Sequence, residues 1–116
     1  MIYTSYFGAM RKMSPEQKER CVSIARFTPK GIKIKAYPQL APRKEFLQEY
    51  KEYGDKSHFA DQYLEQLEDT VDAYAVEKEL DGKILCCFEK PGDFCHRHVL
   101  KYWLACYEIE SEELTV

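Results

Sequence analysis

The stretch Lys83-Ile84-Leu85-Cys86-Cys87-Phe88-Glu89-Lys90-Pro91-Gly92-Asp93-Phe94-Cys95-His96-Arg97 changes character twice, and those changes decide the fold class. Lys83 to Glu89 is predicted as a strand, because Ile84 to Phe88 is a continuous apolar run rather than an alternating one, the pattern of a strand covered on both faces. Pro91-Gly92 interrupts it. Asp93, a good N-cap, then opens a helix on which Val99, Leu100, Trp103, Leu104 and Tyr107 share one stripe. A buried strand passing through a short loop into a helix is the repeating unit of an open α/β sheet. Such sheets bind ligands at the strand carboxyl ends, where helix N-termini offer unpaired N–H groups to anions.

Working outward, Ile2 to Phe7 reads as a first strand ended by Gly8. Ser14-Pro15-Glu16-Gln17 is a capping-box pattern with proline at the first helical position, so a short helix is predicted before a second strand over Cys21 to Arg26. Pro29, Pro38 and Pro42 punctuate a basic loop. Phe46, Leu47, Tyr50 and Tyr53 then recur at helical spacing up to Gly54. A further helix is predicted over His58 to Asp69, and another over Val71 to Leu80 before the Asp81-Gly82 turn. The alternation of strands and helices predicts a single small three-layer α/β domain over residues 1–107, with a short, mostly parallel sheet and helices on both faces. Residues 108–116 read as an acidic, flexible tail.

Composition narrows the setting. At 116 residues with 45% hydrophobic side chains, the chain can bury one core without disulfides or metal. No apolar run is long enough to span a bilayer and no leader pattern opens the chain, so a cytoplasmic protein with no membrane partner is expected. Five cysteines, two of them adjacent, do not suggest a disulfide framework, and reduced thiols are expected. The net charge of −3 conceals an asymmetry: seven basic and no acidic residues lie between Arg20 and Lys44, and twelve acidic ones between Glu45 and Asp81. Such a stretch suits an anionic small molecule, or else a solvated face. No dinucleotide or P-loop fingerprint is present, and no cofactor is expected.

The segment LCCFEKPGDFCHRHVLKYWL, Leu85 to Leu104, resembles the signature of the bacterial and phage domain-of-unknown-function family 488. There an apolar strand ending in C-x-E-K precedes C-H-R at the start of the last helix. The segments IYTSYFG and VSIARFTP resemble that family's first two strands, so the likeness spans nearly the whole chain. It implies an α/β fold with a site at the strand carboxyl ends and brings no activity with it. By matching position it makes Glu89, Cys95, His96 and Arg97 the signature polar residues, with Cys87 as the strand cysteine.

On the residues themselves, Arg97 in a first helical turn reads as an anion clamp or as an ion pair with Glu89. Cys95 beside His96 reads as an activated nucleophile or as a small packed hydrophobe. Adjacent helical residues point apart, so a direct Cys95–His96 dyad is not expected and Glu89 is the preferred base. His96 is an acid/base group or a buried imidazole bonded to a carbonyl. Cys86, Cys87, Cys95 and His96 invite a zinc reading, but structural zinc usually shows two ligand pairs with C-x₂₋₄-C spacing and adjacent strand cysteines point apart, so zinc is not expected. Glu89, Cys95 and His96 are thus the catalytic candidates. Arg97, Ser5, Tyr6, Arg26 and Phe27, at strand ends or the helix start, are the ligand-binding candidates. The function expected is a binder or enzyme, of hydrolase or transferase type, for a phosphorylated or nucleotide-like ligand. The alternative is a non-catalytic module that meets nucleic acid or protein through the basic 20–44 segment.

Overall fold

Five strands form one sheet in the order β3-β2-β4-β1-β5, and every pairing is parallel. They are β1 Ile2–Tyr6, β2 Cys21–Ser23, β3 Lys35–Ala36, β4 Ile84–Cys87 and β5 Ser111–Glu113. The structure, a computed structural model, describes residues 1–89 and 94–116. β4 lies at the centre with all four residues buried, as its unbroken apolar run requires. The parallel α/β architecture read from the sequence is the one adopted.

The register separates the two adjacent cysteines. Ser5, Cys86 and Ser23 are aligned across three strands, and Tyr6 is aligned with Cys87. Cys86 packs with Phe7, Met10, Met13 and Cys21, whereas Cys87 joins the larger core with Leu85, Leu100 and Trp103. That larger core is built by helices α2 Lys44–Tyr53, α3 Lys56–Thr70, α4 Ala73–Leu80 and α5 His96–Cys106. A 3₁₀ turn over Phe7–Lys12 and the loop at Ile32 and Ile34 cover the other face; helix α1 Pro15–Glu19 buries no side chain.

Local chemistry explains the helix limits. Ser14 and Gln17 form the reciprocal capping box, and Asp55 and Asp72 cap α3 and α4 through their carboxylates. Gly54 ends α2 at φ 70°, a conformation in which a Cβ is strained. Val99, Leu100, Trp103 and Leu104 are buried along one side of α5, and full burial of a large apolar side chain contributes about 1.5–3 kcal/mol. His98 and Lys101 lie on its exposed side.

Three expectations need correction. β2 stops at Ser23 rather than Arg26, although the Ile24 amide still donates to the Cys86 carbonyl. α5 begins at His96 with Cys95 at the N-cap; the expected cap, Asp93, lies outside the described residues. The segment read as a flexible tail contains β5, which pairs with the outer edge of β1. The pairing satisfies backbone groups of β1 that an edge strand would leave open.

Candidate functional site

Beyond the carboxyl ends of β2 and β4 the chain leaves a cleft of about 250 Å³. Ala25, Arg26 and Phe27 form one wall, the start of α2 forms another, and Phe88, Glu89 and His96 close it. The chain leaves β2 toward one face of the sheet, whereas α5, which follows β4, packs on the other. That divergence opens a crevice at a switch point. Arg26, Lys44 and Lys51 bring positive charge to it, and Glu89 is the acidic residue among the described lining residues. Phe27 and Phe88 are 72% and 51% exposed, and Phe88 is braced edge-on by Phe7 at 5.0 Å between centroids. The Arg26 guanidinium lies 5.9 Å from the Phe27 ring and donates to the Pro42 carbonyl at 3.5 Å.

Arg97 is not at this surface. It is 0% exposed, and its three nitrogens are spent on protein acceptors. Nε and Nη2 grip the Glu113 carboxylate bidentately at 3.1 and 2.9 Å, while Nη1 donates to the Glu89 carbonyl and to Cys87 Sγ. The Tyr6 ring centroid is 6.0 Å from the guanidinium carbon. Burial raises the Glu113 carboxyl pKa, but hydrogen bonds from Arg97 and Thr4 outweigh it and hold the group below its ordinary value. The anion-clamp reading of Arg97 is therefore corrected: it ties α5 to β5, and its carboxylate partner is Glu113 rather than Glu89.

His96 borders the cleft yet is nearly buried, edge-on to Tyr63 at 5.5 Å. Its Nε2 lies 2.7 Å from the Ile24 carbonyl oxygen, which only accepts, so Nε2 carries the proton. Burial pushes its pKa down to about 4, although the Ile24 bond opposes this, and the ring is neutral at pH 7. Nδ1 faces Cys95 Sγ at 3.6 Å. The contact that helical geometry argued against exists because Cys95 is the extended N-cap residue, at φ −145°, rather than a helical neighbour. Cys95 Sγ lies in contact with Cys87 Sγ, a pairing of cysteines eight residues apart that brings the helix cap onto the end of β4.

The family model DUF488-N3a, described as the active DUF488-N3 subclade, matches residues 5–108. The chain belongs to this family. No curated protein and no solved structure matches the chain. The DUF488-N3a match runs through Ser5, Arg26, Glu89 and the Cys95-His96-Arg97 run, confirming the likeness read from the strand and helix signature.

Of the eight site candidates in this DUF488-N3a chain, four meet at the cleft: Arg26, Phe27, Glu89 and His96. Cys95 and Arg97 are buried at the start of α5. Ser5 is buried beside Cys86 on the opposite face of the sheet, and its hydroxyl has no hydrogen-bond partner among the described residues. Tyr6 is half-buried beside Arg97. Lys44, Gln48 and Lys51 were missed, although their spacing of four and three residues marks one polar side of a helix. The basic 20–44 segment contributes to more than one groove: Arg26 and Lys44 reach the cleft, while Lys33 and Lys35 line a groove with Lys18. No helix among the described residues is long and apolar enough to cross a membrane.

Proposed function

We propose that the chain binds a small phosphorylated ligand, of mononucleotide or phosphosugar size, over the carboxyl ends of β2 and β4, and that Glu89 moves a proton there. The lining of the cleft carries this reading: Arg26, Lys44 and Lys51 supply cationic groups, Phe27 and Phe88 supply rings, and one carboxylate stands among them. Guanidinium and ammonium groups bind phosphate, and exposed rings stack on a base or sugar. A volume of about 250 Å³ lies just below the roughly 300–1,000 Å³ of drug-sized sites, which favours one phosphate and one ring over a dinucleotide.

His96 has one nitrogen donating to Ile24 and the other turned to Cys95, so Glu89 is left as the group to take a proton from water or a hydroxyl. That role suits a hydrolase or a transferase. The family's description as an active subclade supports chemistry beyond binding. The division of the basic segment between two grooves favours a small ligand over an extended nucleic-acid surface.

Thermal melts with inorganic phosphate, nucleoside monophosphates and phosphosugars test the reading. Ligand at roughly 100 times Kd adds about 2.7 kcal/mol of stability. The double variant Lys44→Glu, Lys51→Glu should lose the rise in Tm. Glu89→Gln should keep the rise and lose product formation. A panel that leaves Tm unchanged, or a rise that survives both charge reversals, overturns the proposal.

A further inference from the structure

The start of α5 and the end of β4 bring three soft donors together. Cys87 Sγ, Cys95 Sγ and a His96 ring nitrogen all lie within 4.8 Å of one another, and all three residues are buried. The imidazole is already oriented for ligation. Its Nε2–H is committed to the Ile24 carbonyl at 2.7 Å, which leaves the Nδ1 lone pair toward the sulfurs. A carbonyl or carboxylate on the far nitrogen is how proteins fix metal-ligating histidines. On the other flank, Arg97 Nη1 donates to Cys87 Sγ at 2.9 Å, which fixes the position of that sulfur.

The spacing of the backbone points the same way. The Cα atoms of Cys87 and Cys95 are 7.5 Å apart, wider than the roughly 4.4–6.8 Å usual for a disulfide. A tetrahedral cation with bonds of about 2.3 Å holds its two sulfurs about 3.8 Å apart, which such a spacing accommodates with less backbone movement. Cys86 is not needed. The sequence argument against zinc concerned the Cys86–Cys87 pair, which does point apart; the cluster draws its second sulfur from the helix cap.

We propose that Cys87, Cys95 and His96, once the thiols are reduced, supply three ligands from the described residues to a binding site for a zinc-class divalent cation. Two thiolates and an imidazole are borderline-soft donors suited to zinc. A phosphine and one water reduce a Cys87–Cys95 disulfide to two thiols, giving the phosphine oxide. The cation then displaces the two thiol protons, and Nδ1 supplies the third ligand. The site stands independently of the proposed ligand in the cleft, although His96 borders both.

The test uses the full chain, stripped with a chelator, reduced with a phosphine, desalted without oxygen and titrated with Co²⁺. One Co²⁺ per chain is expected, with a thiolate charge-transfer band and the strong visible absorption of tetrahedral cobalt, both removed by added Zn²⁺. Cys95→Ser should abolish the band while circular dichroism stays native, and Cys106→Ser should leave it unchanged. Should Cys95→Ser fail to fold, X-ray absorption on the zinc-loaded wild type decides, with two sulfur and one nitrogen ligands from the protein expected. Failure of the reduced, folded chain to take up Co²⁺ overturns the site. So does uptake without a thiolate band, a band that survives Cys95→Ser, or any other ligand set.

Discussion

Replacing Arg97 by Met should cost about 3 kcal/mol of folding stability. The guanidinium is fully buried and makes a two-point pair with Glu113, and removing one member of a buried pair typically costs about 3–5 kcal/mol because the other charge is left uncompensated. Glu113 is 30% exposed and keeps its bond from Thr4 Oγ1 at 2.7 Å, so part of its hydration is recovered and the lower figure applies. Glu113→Ala should be worse, because it strands a cation that has no exposure at all. The double change Arg97→Met, Glu113→Leu should recover much of the loss, since an apolar pair of similar volume avoids both desolvation penalties. Urea unfolding at one fixed redox state reads these values. With m near ~1.5 kcal/mol per M, Arg97→Met lowers the midpoint by about 2 M. A loss below about 1 kcal/mol, or single costs that simply add in the double variant, would refute the tie between α5 and β5.

Other consequences concern acid, hydroxyl and thiol chemistry. In chelator-treated protein, His96 is held near a pKa of about 4 against an unfolded value near ~6.5. The unfolded chain therefore takes the proton first, and stability that is full above about pH 6.5 declines until about pH 4. The loss attributable to His96 approaches ~3 kcal/mol, and Glu113, whose carboxyl is also held low, extends the decline at lower pH. A urea midpoint that does not move between pH 7 and pH 5 would contradict this. Tyr63→Phe should cost about 1–2 kcal/mol, measured by the same unfolding, because the buried hydroxyl donates to the Leu40 carbonyl and its loss leaves that oxygen unpaired. Under native conditions Cys106 should be the single fast-reacting thiol, since Cys21, Cys86, Cys87 and Cys95 are all buried. Fast labelling that persists in Cys106→Ser would show that one of the buried sulfurs is open.

Elements with their own local chemistry were legible in the sequence. The unbroken apolar run of β4, the Ser14 capping box and the glycine after α2 each specify their element without help from distant residues. β3 and β5 were not legible for the same reason reversed. Lys35-Ala36 and Ser111-Glu112-Glu113 have little intrinsic strand preference, and they are strands only because β2 and β1 present edges to pair with. Arg26, Phe27 and Glu89 line the cleft because they follow strand ends. Arg97 was misassigned because a guanidinium in a first helical turn looks alike whether it meets a ligand or a carboxylate sixteen residues later. The grouping of Cys87, Cys95 and His96 was discounted because the sequence reading turned on the adjacent Cys86 and Cys87, whereas the sheet register and the N-cap bring Cys87 to Cys95.

The central claim is that the cleft over β2 and β4 is where the chain meets its ligand. Amide chemical-shift mapping by NMR, titrating the labelled protein with inorganic phosphate and then a nucleoside monophosphate, tests it most directly. The account predicts saturable shifts concentrated at Arg26, Phe27, Lys44, Phe88 and Glu89, around the basic and aromatic lining. Shifts gathered instead at Lys18, Lys33 and Lys35, in the groove beside β3, would contradict it, as would no saturable shift with either probe.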